Sequence, residues 1–249
     1  MTGRNRRLLA GGVVLAVTVA VTTPAVAVAA PADHPATRAV LDRYQAQAGP
    51  GAAVHAGDET GSWTLSSGTA KIGQNRPVTS TEHFRIGSQT PLGLAHTSFP
   101  ARGTRAPADP YLPGYVGGRV GPFFFWTEGT TNTELTFWST AGAMASTLED
   151  LAAFYGALLD GRVVSAAALA EMRRTTAPDH SYGLALSRVD LTCGGEAWGH
   201  DGALPNGHCS ITLTTDDGRF ASLVTNGNVV GSRLVSIEVL DTALCEEAA

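Results

Sequence analysis

Two short stretches hold residues whose types could do chemistry. In Phe84-Arg85-Ile86-Gly87-Ser88-Gln89-Thr90-Pro91 an apolar strand end runs through a glycine into an isolated serine, which is how a chain presents a nucleophile. In Trp198-Gly199-His200-Asp201-Gly202 a histidine stands among glycines that let a substrate approach the backbone closely. A serine hydroxyl is a poor nucleophile at neutral pH without a base. In a Ser-x-x-Lys arrangement that base is an amine three residues on, but here the position holds Pro91. The 17 basic residues include a single lysine, Lys71, which lies upstream in the hairpin region and reads as a solvated strand residue. General-base help is worth roughly 10²- to 10⁴-fold, so its loss weighs heavily. Taken separately, Ser88 also reads as a turn serine and His200 as a structural histidine.

The elements that must position these residues are legible at both ends of the chain. Ala36 to Ala48 sets Val40, Leu41 and Tyr44 on one face and stops at Gly49-Pro50-Gly51, an amphipathic helix. Ala52 to Ala56 and Ser62 to Thr69 read as strands around the turn residues Asp58-Glu59-Thr60-Gly61, and Phe84 to Gly87 as a further strand. From Pro91 to Thr136, Pro, Gly and Thr punctuation predicts a long loop, with Phe123 to Trp126 its main apolar run. Ser146-Thr147-Leu148-Glu149 reads as a capping box ahead of a helix carrying Leu148, Leu151, Phe154, Tyr155, Leu158 and Leu159, and a short helix follows Ser165. Tyr182 to Val189, Ala197 to Gly199, Cys209 to Thr215 and Phe220 to Thr225 read as strands, the last two joined through Asp216-Asp217-Gly218. A helix from Ser232 to Leu244 closes the chain. This order predicts an α+β fold whose antiparallel sheet is made from both termini and flanked by helices.

Composition narrows the classes. A chain of 249 residues, 43% hydrophobic and 16% charged, buries a sizeable core, and a net charge of -5 with scattered arginines excludes a nucleic-acid footprint. Arg4, Arg6 and Arg7 precede an apolar run from Leu8 to Val21 and the small-residue pattern Ala27-Val28-Ala29, which predicts a signal peptide over 1–29. The run is short for a bilayer span and ends in Thr22, Thr23 and Pro24, so no stable membrane anchor is expected after cleavage behind Ala29. Export to an oxidising space suits cysteine pairing. Three cysteines, Cys193, Cys209 and Cys245, leave either one bridge and a leftover thiol or a bridge between chains. No Cys-x-x-Cys or His-Glu-x-x-His spacing supports a metal site, and no cofactor is expected.

In order, Phe84 to Thr90, Pro91-Leu92-Gly93-Leu94-Ala95-His96-Thr97-Ser98-Phe99, Ala141-Gly142-Ala143-Met144-Ala145-Ser146-Thr147, Cys193-Gly194 and Trp198 to Gly202 resemble successive landmarks of the secreted serine D-alanyl-D-alanine carboxypeptidases and class C-type β-lactamases. The resemblance spans nearly all of the chain beyond the signal segment. It implies that Ser88 is the acylated nucleophile, with its own amide as one oxyanion donor. It also implies that His200 and Gly202 form a His-x-Gly motif lining the site, and that Cys193 pairs with Cys245. A β-lactamase/transpeptidase-like domain over 30–249 follows, an antiparallel sheet flanked by helices with a mostly helical subdomain beside it.

The departures are as informative. Thr90 runs directly into a landmark that in the family lies beyond the helical subdomain, so that subdomain is largely missing near 90–91, and with it the lysine and a Tyr-x-Asn motif. None of the five tyrosines starts such a motif. Asp201 either repels a substrate carboxylate or points away from it, since neighbouring strand residues face opposite sides. Arg188 is a candidate carboxylate anchor from a neighbouring strand. The expected partner is a small molecule or peptide: a D-alanyl-D-alanine peptide, a β-lactam or an ester. Three functions follow: an impaired serine hydrolase acting through Ser88, a non-catalytic relative that binds cell-wall peptide or a partner, or an internally deleted remnant.

Overall fold

Pro35 at the first turn and the apolar triplet Val40, Leu41 and Tyr44 produce the first helix, α1 (Pro35–Ala48), whose triplet is buried. The computed structural model describes residues 33–86, 94–120, 123–176, 181–205, 207–227 and 233–246. After α1 come β1 (Gly51–Asp58) and β2 (Gly61–Gly68), an antiparallel hairpin, and β3 (Phe84–Ile86). The C-terminal third supplies β7 (Ser187–Asp190), β8 (Glu196–Ala203), β9 (Cys209–Thr215), β10 (Phe220–Thr225) and the last helix, α4 (Arg233–Glu246). They join the N-terminal hairpin in one antiparallel sheet of order β2-β1-β10-β9-β8-β7. The α+β architecture with a sheet built from both ends of the chain therefore holds.

One face of the sheet is covered by α1 and α4. Leu41, Tyr44, Val54, Ile211, Leu213, Leu223, Val239, Leu240 and Leu244 fuse there into a single buried cluster. At about 1.5–3 kcal/mol for each large apolar side chain taken out of water, this layer dominates the stability. Cys193 and Cys245 close a disulfide beside it, with a sequence separation of 52. The pairing implied by the family resemblance is present, and Cys209 lies outside it, half-buried on β9.

The opposite face is covered by α2 (Leu148–Leu159), which packs on β9 and β10. Thr147, rather than Ser146, caps this helix, its hydroxyl accepting from the Asp150 amide at 3.2 Å. The predicted capping box is thus shifted by one residue, because Ser146 is spent in the short strand β6 (Met144–Ser146), antiparallel to β3. Glu149 instead accepts from the Ser80 hydroxyl at 2.8 Å. The short helix α3 (Ala166–Met172) starts where predicted, with the Ser165 hydroxyl accepting from the Ala168 amide.

Three further sequence expectations fail. The loop predicted from Pro91 to Thr136 contains a hairpin, β4 (Tyr115–Val120) with β5 (Phe123–Glu128), and a 3-10 turn at Leu135–Ala141 follows it. Gly117 makes the hairpin possible: its φ is +154°, and a Cβ there would lie 1.8 Å from the Phe125 carbonyl oxygen. The strand predicted from Tyr182 forms only from Ser187, since Ala185 takes a left-handed φ of 57° that breaks the extended run. Lys71 is exposed in the bend after β2 rather than in a strand.

Candidate active site

The small β3–β6 sheet delivers the chain to the predicted nucleophile. β3 ends at Ile86, and Ser88, with Thr90 and Pro91, lies outside the described residues. The second candidate stretch lies on β8, held between β7 and β9. Gly199 lets β8 sit close to β9, since a Cβ at that position would fall 1.7 Å from the Thr212 carbonyl oxygen. His200 pairs with Thr212 across the strands, and Gly202 pairs with Ser210.

Alternation along β8 sorts the candidates between the two faces. Trp198, His200 and Gly202 lie on the α2 side, where Trp198 joins a cluster with Phe154, Leu158, Leu169 and Leu186. Asp201 pairs with Ile211 and so faces the side of α1 and α4, away from His200. Arg188 pairs with Trp198 and shares the face of His200. Its guanidinium is engaged there: Nε donates to Glu196 Oε2 and Nη2 to Asp190 Oδ1, both at 2.6 Å. Glu196 also accepts from Trp198 Nε1 at 3.1 Å, so Arg188 serves a local network on the β7–β8 hairpin.

The imidazole of His200 is defined at both nitrogens. Nδ1 lies 2.5 Å from the Asp201 carbonyl oxygen, which can only accept, so Nδ1 carries a proton and donates it. In the neutral ring Nε2 is then an acceptor, and the Tyr182 hydroxyl donates to it at 2.9 Å. The rings meet edge to face, with centroids 5.6 Å apart. His200 is half-buried and Tyr182 exposed, so the pair borders solvent. A phenol held by an imidazole is a proton donor and acceptor at one point, the service a leaving amine requires.

Tyr182 has no counterpart among the sequence-predicted residues. Nothing adjacent marks it, because its partner is 18 positions away and the meeting depends on the bridge between Tyr182 and Ser187 beside β8. Among the described residues no group of three His, Cys, Asp or Glu side chains could hold a metal ion.

Residues 89–242 match the Beta-lactamase family, a span of more than half the chain that contains Tyr182, His200, Gly202 and Cys193. The chain belongs to that family. The match begins one residue after Ser88. Solved structures carry the same fold. The D-stereospecific amidohydrolase from Streptomyces sp. superposes with a TM-score of 0.67 at 20% identity, covering 84% of this chain and 98% of its own. The D-amino acid amidase from Ochrobactrum anthropi SV3, complexed with D-phenylalanine, gives 0.68 at 16% identity, covering 87% of this chain and 99% of its own. The same amidase has been solved with L-phenylalanine amide, and SurE matches with a TM-score of 0.56 at 14% identity. This member of the Beta-lactamase family therefore has the serine-hydrolase fold of its relatives, with a tyrosine–histidine pair on its β8 wall.

Proposed function

We propose that the chain is an exported hydrolase of the D-alanyl-D-alanine carboxypeptidase type that cleaves an amide or peptide bond next to a D-amino acid, slowly, through acylation of Ser88. One observation carries the reading: the Tyr182 hydroxyl on His200 Nε2 at the solvent border of β8, in a family whose fold relatives include D-amino acid amidases. Ser88 Oγ attacks the carbonyl carbon and its proton passes to the tyrosine–histidine pair. The pair returns a proton to the leaving amine as the C–N bond breaks. Water then attacks the ester, freeing the acid and restoring Ser88. With Pro91 in place of an amine the reaction lacks its usual base, which accounts for the slow rate. Export is consistent with the Cys193–Cys245 bridge.

Incubating the purified chain with D-phenylalanine amide and with a reporter β-lactam, and following ammonia release and intact mass, tests this. The expected result is a slow adduct on Ser88 that disappears in Ser88→Ala, with release slowed roughly tenfold or more in Tyr182→Phe. No adduct and no release with either compound would sink it. Saturable binding of a D-amino acid peptide without turnover supports the second reading, a non-catalytic relative, which the absence of a lysine after Ser88 favours.

A further inference from the structure

A cleft of about 560 Å³ opens on the α2 side of the sheet next to the Asp216–Gly218 turn, and neither Tyr182 nor His200 lines it. Its floor is set by His55 of β1 and Phe220 of β10, whose ring centroids lie 5.4 Å apart. Its inner wall is the small-residue face of α2, at Ala152, Ala153 and Gly156. His55 is only 7% exposed. Its Nδ1 meets the Trp63 carbonyl oxygen at 3.1 Å and Thr64 Oγ1 at 3.0 Å, and the carbonyl fixes the proton on that nitrogen. Nε2 has no partner among the described residues, so a buried ring presents a bare acceptor lone pair to the cleft. Burial lowers the pKa of His55, which keeps the ring neutral and that lone pair available.

The rim carries charge of one sign in excess. Asp160, Asp216 and Asp217 are matched by Arg162, Arg173 and Arg219. Asp58, Glu59 and Glu149 also line the cleft and have no cationic side chain against them among the described residues. An acceptor at the floor, uncompensated carboxylates at the rim and an aromatic face between them ask for N–H donors on a cation. The described carboxylates and imidazoles form no metal-binding group, which points to an organic cation.

We propose that this cleft is a binding site for a small organic ammonium ion with an apolar substituent. Its N–H groups donate to His55 Nε2 and the rim carboxylates, and its apolar body lies against Phe220 and the small residues of α2. The proposal makes no use of Ser88 chemistry, and its readout is binding rather than turnover. Calorimetric titration of the purified chain with benzylammonium, and with benzyl alcohol as a neutral probe of the same shape, tests it. Benzylammonium is expected to bind saturably and about tenfold more tightly than the alcohol. A Cβ at Gly156 meets nothing within 4 Å, so a larger side chain there starts in open space, and Gly156→Phe is expected to abolish binding at an unchanged thermal midpoint. His55→Gln is expected to weaken binding several-fold. No saturable binding, equal affinity for the two probes, or full binding by the Gly156→Phe chain would overturn the proposal.

Discussion

The layer of α1 and α4 and the region around β3, β4 and β5 solve the same problem with opposite success. In the first, every large apolar group meets another and the cluster closes on itself. In the second, Phe123 and Phe125 are 65% and 60% exposed, Phe99 and Phe137 are exposed at the 3-10 turn, and Arg85 is fully buried, with the Leu135 carbonyl oxygen at 3.0 Å as its acceptor among the described residues. Among the described residues Arg85 Nε and Nη1 have no partner, nor does Nδ1 of the buried His208. Apolar groups left in water and polar groups left dry are the physical signature of a less completely packed region.

The largest test of this contrast is on the well-made side. Reducing the Cys193–Cys245 bridge, or replacing both cysteines with serine, is expected to cost about 4 kcal/mol, read by urea denaturation, because the bridge closes a loop of 52 positions. An unchanged midpoint would mean that the termini are held by packing alone. On the other side, burial holds the His208 pKa at about 4 against its ordinary 6.5, with Nε2 donating to the Leu112 carbonyl oxygen at 2.8 Å and Arg85 adding to the depression. The unfolded chain therefore takes up this proton first as pH falls. The stability is complete above pH 6.5 and is lost by pH 4, about 3 kcal/mol in all, a slope that His208→Gln flattens.

The same contrast predicts a gain. Arg85→Met removes a buried cation that the described residues around it satisfy at only one nitrogen, and the thermal midpoint is expected to rise by the equivalent of about 2 kcal/mol. A drop would show that Arg85 has a partner that outweighs its burial. Smaller effects follow from Thr147→Ala, which strips the cap of α2 at about 1 kcal/mol, and from Phe125→Thr. The latter is expected to change stability by less than about 0.5 kcal/mol while lowering the binding of a hydrophobic dye.

The sequence made the first region readable and hid the second, for a physical reason. The helices of the terminal layers bury one face each, which prints a period on the chain, as with Val40, Leu41 and Tyr44 in α1, while the central strands are buried on both faces and read as short apolar runs between turns. β5 buries almost nothing, so Phe123 to Trp126 carries no alternation, and Gly117 and Gly118 of β4 imitate a loop. β6 is three residues long and shifts the helix cap by one. His200 and Gly202 are candidates that a local motif marks. The contact of Tyr182 with His200 has no such mark, since it exists only once β7 and β8 are paired. Strand alternation left Asp201 open in the sequence, and the register with Ile211 turns it away from the site.

The pairing of β1 with β10 has a consequence for when this chain folds. Gly51 and Thr225, 174 positions apart, share a hydrogen bond at the sheet's centre, so β1 lacks one of its two neighbours until the last strand exists. Loop closure on that scale is slow, and a growing chain cannot complete the central sheet until nearly all of it has been synthesised. For the exported protein we propose, that delay would leave the chain threadable until β10 has been made.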